Sequence, residues 1–291
     1  QAGKALTGQY NVFLGSEAGT NATSSDNNTA IGRQAMAGVM TGDSNVSVGY
    51  RAGYANTSGG DNVFIGVQAG NGNTTASNNV AVGKGALFST QDSSNGGLNT
   101  AIGQGAGADL TGHRNTMLGY KTGYTSTSAN SNVYIGYEAG YKNTTGDSNV
   151  YIGNKAGPSS TSTESNKLYI NNNEGTPLIG GDFSAYQVSM NANVVIGGTT
   201  PDAKLHLVAG SSSEPVLLIE NTNADNTPPG VTFYKNTASP ASSDQIGSIK
   251  FDSEEATSSD RKTYWEIQSR INDPTNTTPN GQLNFYGLDG D

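Results

Sequence analysis

The chain has no cysteine, two histidines, one tryptophan and few aliphatic residues, and each shortage excludes something. Without cysteine there are no disulfides, zinc–thiolate sites, iron–sulfur clusters or thiol nucleophiles. No apolar run approaches the roughly 18 residues that span a bilayer, and Gln1-Ala2-Gly3-Lys4 does not read as a signal peptide, so membrane insertion is not expected. Leu, Ile, Val and Phe total 50 of 291 residues, about 17%, below the roughly 20% at which a chain fails to bury a core. Disorder would also require high net charge, and here only 13% of residues are charged with a formal net charge of −9. Stability must come from something other than an ordinary core.

The charge is unevenly placed: residues 1–165 carry 8 basic and 9 acidic side chains, residues 166–291 carry 7 and 15. Neither part has the cationic excess that nucleic-acid binding draws on, so no nucleic-acid partner is expected. What the chain does have is 40 glycines, 33 asparagines and a repeat. Anchors at Asn11, Asn28, Asn45, Asn62, Asn79, Asn99, Asn115, Asn132 and Asn149, with a degenerate tenth at Asn166, follow one another at 17, 17, 17, 17, 20, 16, 17, 17 and 17 residues. Each of the nine good anchors is followed by Val or Thr, then a variable residue, then Leu, Ile or Val, then Gly. Three residues past that Gly comes Ala, replaced once by Thr122, and then a second Gly, replaced by Met36 and Leu87.

Side chains alternate along a strand, so the Val/Thr and Leu/Ile/Val positions share one face, and the Gly ends the strand through positive φ or close backbone approach. Turn formers fill the remainder of each copy. One copy cannot offset the entropy of ordering 17 residues, whereas stacked copies bury a continuous aliphatic column and line up their asparagines as an amide ladder. The variable middle residue, Phe13, Ala30, Ser47, Phe64, Ala81, Ala101, Met117, Tyr134 or Tyr151, faces the other way and is mostly apolar. A second buried face is implied, and packing around a threefold axis would supply it. The expectation is an all-β homotrimer: a parallel β-solenoid or β-roll over 1–165, a β-rich connector over 166–204, and an antiparallel β-sandwich or β-prism over 205–291.

The pattern in Asn28-Thr29-Ala30-Ile31-Gly32 and Asn99-Thr100-Ala101-Ile102-Gly103 resembles the head repeats of trimeric autotransporter adhesins and, still more, the Asn-Thr-Ala-Ile-Gly arrays of bacteriophage tail fibres. Val194-Val195-Ile196-Gly197-Gly198-Thr199-Thr200-Pro201-Asp202-Ala203-Lys204-Leu205-His206-Leu207 is similar to a tail-fibre element of two strands joined by a proline turn, often upstream of a chaperone domain. The resemblance implies a virion or extracellular location, other fibre proteins as partners, and attachment to a host glycan or surface protein; a bacterial surface adhesin is the alternative.

The residues offer little chemistry, and no catalytic, metal or cofactor residue is assigned. His113 and His206 lack neighbouring ligands at metal spacing, and no Gly-x-Ser-x-Gly elbow accompanies the serines. Glu254, Glu255 and Glu266, beside Trp265, are the only pattern resembling a sugar-cleaving tailspike; Trp265 reads instead as a core anchor. Asp43, Asp61 and Asp147 read as turn caps rather than calcium ligands. An ice-binding solenoid would align its threonines, which here read as scattered. Paired tyrosines recur in three copies, and Tyr54, Tyr124 and Tyr141 are candidates for surface recognition. Five strands are expected after the connector: Pro215–Glu220, Val231–Tyr234, Ile246–Phe251, Thr263–Ile271 and Gln282–Tyr286.

Overall fold

A computed structural model describes residues 1–4, 6–89, 97–196, 199–201, 203–207, 217, 231, 245–254, 261–271 and 281–287. The chain forms two compact units, Gln1–Gly210 and Ser211–Asp291. Among the described residues every regular element is a strand.

The first unit is a parallel β-solenoid of nine coils, counted from the anchors. Each contributes one three-residue strand: β1 (Val12–Leu14), β2 (Thr29–Ile31), β3 (Val46–Val48), β4 (Val63–Ile65), β5 (Val80–Val82), β6 (Thr100–Ile102), β7 (Thr116–Leu118), β8 (Val133–Ile135) and β9 (Val150–Ile152). Neighbours pair parallel and in register, so Val12 meets Thr29, Thr29 meets Val46, and so on to Val133 and Val150. Nine strands at about 4.8 Å per step make a rod of roughly 40 Å. The strand-ending glycines meet both conditions at once. From Gly15 to Gly136 they have φ of 127–138°, and a Cβ on any of them would fall 2.2–2.7 Å from the next coil's glycine backbone. No other residue fits.

The structure reverses the expected inside and outside of the strand. The middle residues are the interior: Ala30, Ser47, Phe64, Ala81, Ala101, Met117, Tyr134 and Tyr151 are buried. The two aliphatic columns line the outer surface, where Val12, Leu14, Ile65, Ile102 and Leu118 are 38–65% exposed. A coil is closed and narrow, so a three-residue strand turns one side chain in and two out. The departures from the second Gly follow from this. A Cβ at Gly70 would sit 2.4 Å from the Phe64 ring and one at Gly140 2.5 Å from Tyr134, while Met36 and Leu87 occur in the coils whose middle residue is Ala30 or Ala81. In these coils large centre with small corner, or the reverse, fills the same cross-section; coil six, small at both with Ala101 and Gly107, has the Met117, Leu87 and Leu110 side chains at its corner instead.

Strand β10 (Lys167–Ile170) continues the parallel stack on β9, and its register places Lys167, not Asn166, level with Asn149. The direction then changes: β11 (Ile179–Asp182) and β12 (Gln187–Met190) add antiparallel, with Lys167 and Asp182 ion-paired at 2.5 Å. That hydrogen-bonded pair holds the Asp182 carboxyl well below its ordinary range. Strands β13 (Val194–Ile196) and β14 (Leu205–Leu207), on either side of Pro201, pair parallel.

In the second unit β15 (Gln245–Glu254), β16 (Arg261–Ile271) and β17 (Gly281–Gly287) form an antiparallel three-stranded sheet. These strands cover the last three of the five expected; the first two fall outside the described residues apart from Leu217 and Val231. Trp265 is not a core anchor here: it is 61% exposed, on the face it shares with Ile249, Ile267, Leu283 and Phe285.

Candidate interaction surfaces

The nine anchor asparagines are internal supports. Asn11, half-buried, begins the series, and Asn28, Asn45, Asn62, Asn79, Asn99, Asn115, Asn132 and Asn149 are buried. Each side-chain oxygen accepts the backbone N–H of the next anchor at 2.8–3.1 Å, beginning with Asn28 N–H to Asn11 Oδ1 and ending with Asn149 N–H to Asn132 Oδ1. The amide nitrogens tie each strand to its own loop, as in Asn62 Nδ2 to Ala76 O and Asn132 Nδ2 to Gly146 O. A buried amide with both ends bonded is stabilising, and removing one strands its partners.

A second asparagine column, missed in the sequence, lies inside the loops. Asn56 and Asn73 donate to Gly59 O and Ala76 O and are joined at 3.1 Å, while Asn143 donates to the buried hydroxyl of Tyr134 at 2.7 Å. The 17-residue interval from Asn56 to Asn73 was the available signal. The threonines are also aligned rather than scattered. Thr57, Thr111, Thr127 and Thr144 each donate a hydroxyl to the next coil's carbonyl at 2.9–3.3 Å. Those hydroxyls tie one coil to the next.

The tyrosine candidates all lie at the corner after the strand. Tyr54 is exposed beside the Arg51 guanidinium at 5.1 Å, and the same guanidinium lies 5.3 Å from Tyr50. Four coils further on, the Lys121 ammonium stands 5.4 Å from Tyr120 and 5.3 Å from Tyr124, and its pKa is raised chiefly by hydrogen bonding to Tyr120. Tyr124 stacks on Tyr141 at 5.6 Å and Tyr120 on Tyr137 at 5.2 Å. The structure therefore brings Tyr124 and Tyr141 together and leaves Tyr54 in a separate cluster of the same design.

Inside the rod Tyr134 and Tyr151 stack at 5.0 Å, and Tyr169 meets Tyr151 edge-on. Burial raises all three phenol pKa values, that of Tyr169 to about 12. Among the described residues no three His, Asp or Glu side chains converge as a metal site, and no helix is long and apolar enough to cross a membrane. Glu266 accepts a hydrogen bond from Gln268 at 3.2 Å. Comparison with protein-family models, curated proteins and solved structures finds no match to this chain.

Proposed function

We propose that the chain is a structural segment of a phage tail fibre or similar virion appendage, working as a homotrimeric rod. Such a rod holds recognition surfaces at a fixed distance from the particle, so that weak contacts with a host glycan or surface protein reinforce one another through effective concentration. The observation that supports this reading best is the outer sheet face. Its two columns, Val or Thr in one and Leu, Ile or Val in the other, run in register from Val12 and Leu14 to Val150 and Ile152, and every residue in them is at least partly exposed. Packing that face around a threefold axis would cover it equally in every copy, each square ångström contributing about 25 cal/mol. The reading gives the chain no catalytic step.

Light scattering on the purified chain tests it. The expected mass is three times the 29.9 kDa of one chain, and Ile65→Glu with Ile102→Glu on the outer face should release folded single chains. A folded single chain from the unaltered protein at micromolar concentration, or hydrolysis of host capsule or lipopolysaccharide by it, overturns the reading.

A further inference from the structure

Along the middle of the rod the charges are largely sorted by edge. At the two positions after the strand-ending glycine stand Arg33, Arg51, Lys84, Lys121 and Lys155, in coils two, three, five, seven and nine. Asp26, Asp43, Asp61 and Asp147 occupy the opposite edge of the strand, one or two residues before the next anchor. From coil two to coil seven the first edge carries four cations and no carboxylate; the run is bounded on the same edge by Glu17 in coil one, which accepts from Gln34, and by Glu138 in coil eight, which pairs with Lys155 at 3.6 Å. Within this run Arg51, Lys84 and Lys121 recur every second coil, about 10 Å at two strand steps.

Three of the four are held in place. Arg51 donates Nε to Gln34 Oε1 at 2.8 Å while its guanidinium lies against Tyr50 and Tyr54, so its remaining N–H groups stay available. Arg33 lies over the Tyr50 ring at 4.9 Å and donates to its hydroxyl at 3.2 Å. Lys121 repeats the arrangement between Tyr120 and Tyr124. Cations fixed against aromatic rings lose less freedom on binding an anion, and a guanidinium fork matches a carboxylate.

We propose that this edge binds a linear, carboxylate-bearing polysaccharide lying along the rod, each alternate coil presenting one cation to one uronate and the tyrosines contacting the sugar rings between. The proposal rests on the attachment role above and names its ligand class. The cation spacing is close to the length of a disaccharide unit and far sparser than the roughly one phosphate per 1.7 Å of duplex DNA. Tyr120 and Tyr124 are also stacked on Tyr137 and Tyr141, so those faces are not open platforms for bases, and a sugar would meet the exposed ring edges and hydroxyls instead.

The test uses the full chain with labelled hyaluronate, polygalacturonate and alginate, and with dextran and a single-stranded oligonucleotide for comparison. At least one acidic polysaccharide should bind, dextran should not, and affinity should fall with salt. Arg51→Gln combined with Lys121→Gln should weaken binding about tenfold or more, with melting temperature and oligomeric mass unchanged. Arg114→Gln, on the acidic edge, should change nothing. Failure with all three polysaccharides, tighter binding of the oligonucleotide, equal loss in the Arg114 variant, or a changed mass in the double variant overturns the proposal. A single chain that binds polyuronate would refute the trimer and leave this edge standing; a trimer that binds none would do the reverse.

Discussion

Coils four and five are neighbours with the same anchors, and they fill the same cross-section in opposite ways. Coil four puts Phe64 at the centre and Gly70 at the corner; coil five puts Ala81 at the centre and Leu87 at the corner. Both are closely packed, so it is the paired volume that the fold requires at these positions. The asparagine ladder runs unbroken through both, with Asn79 N–H on Asn62 Oδ1 and Asn99 N–H on Asn79 Oδ1. Polar scaffold and apolar filling are thus separable, and each can be attacked alone.

The largest effect should come from Gly70→Leu. It puts a side chain where the Phe64 ring already is, at a residue with φ of 58°, and should cost about 3 kcal/mol in denaturant or thermal unfolding. Adding Phe64→Ala converts coil four to the pattern of coil five and should recover most of that loss; a strictly additive double variant would break the comparison. Asn132→Ala attacks what every coil shares. It strands the N–H of Asn149 and leaves the Gly146 carbonyl only the longer bond from Asn143 Nδ2 at 3.3 Å, and should cost about 2 kcal/mol whatever fills the coil.

Ser47→Ala should act in the opposite direction. The Ser47 hydroxyl is buried without a hydrogen-bond partner at the centre of coil three, so its removal should raise stability by about 1 kcal/mol. The last prediction leaves neutral pH untouched. Tyr169 is raised to about 12 from an ordinary phenol value of 10, and Tyr134 and Tyr151 are raised too. Between those values the unfolded chain has lost protons that the folded one keeps. Stability is therefore complete below pH 10 and falls as pH rises toward 12. Alkaline unfolding followed by phenolate absorbance should begin in the tyrosine-filled coils, and simultaneous loss of the alanine-centred coils would contradict a distinct aromatic end.

Much of the rod was legible because its period is written in Asn and Gly, residues whose roles are geometric. Anchor spacing placed all nine strands, and Gly15 through Gly153 marked where each ends. Which side faces inward was not legible from alternation, since Val63, Phe64 and Ile65 are all apolar and a three-residue strand gives no contrast between faces. The deciding signal was elsewhere in the same coils: Met36 and Leu87 replace Gly in two of the three coils whose middle residue is Ala and in none with a large one, which points to the middle residue as the one sharing their space. Asn56, Asn73 and Asn143 were obscured by polar loops in which turn-forming asparagines are common. The exposed Trp265 shows the limit of residue type as a guide to burial: among the described residues its face of the three-stranded sheet is left open.

The hydrogen bonds from each anchor to the next join residues only 16–20 apart in sequence. Most all-β proteins fold slowly because distant strands must find one another before any contact rewards the loop they close. Here each new coil needs only the one before it as a template. The rod can therefore assemble by addition at a growing end, in step with a chain that emerges from its amino terminus, with β10 to β12 turning the stack antiparallel where the repeat stops.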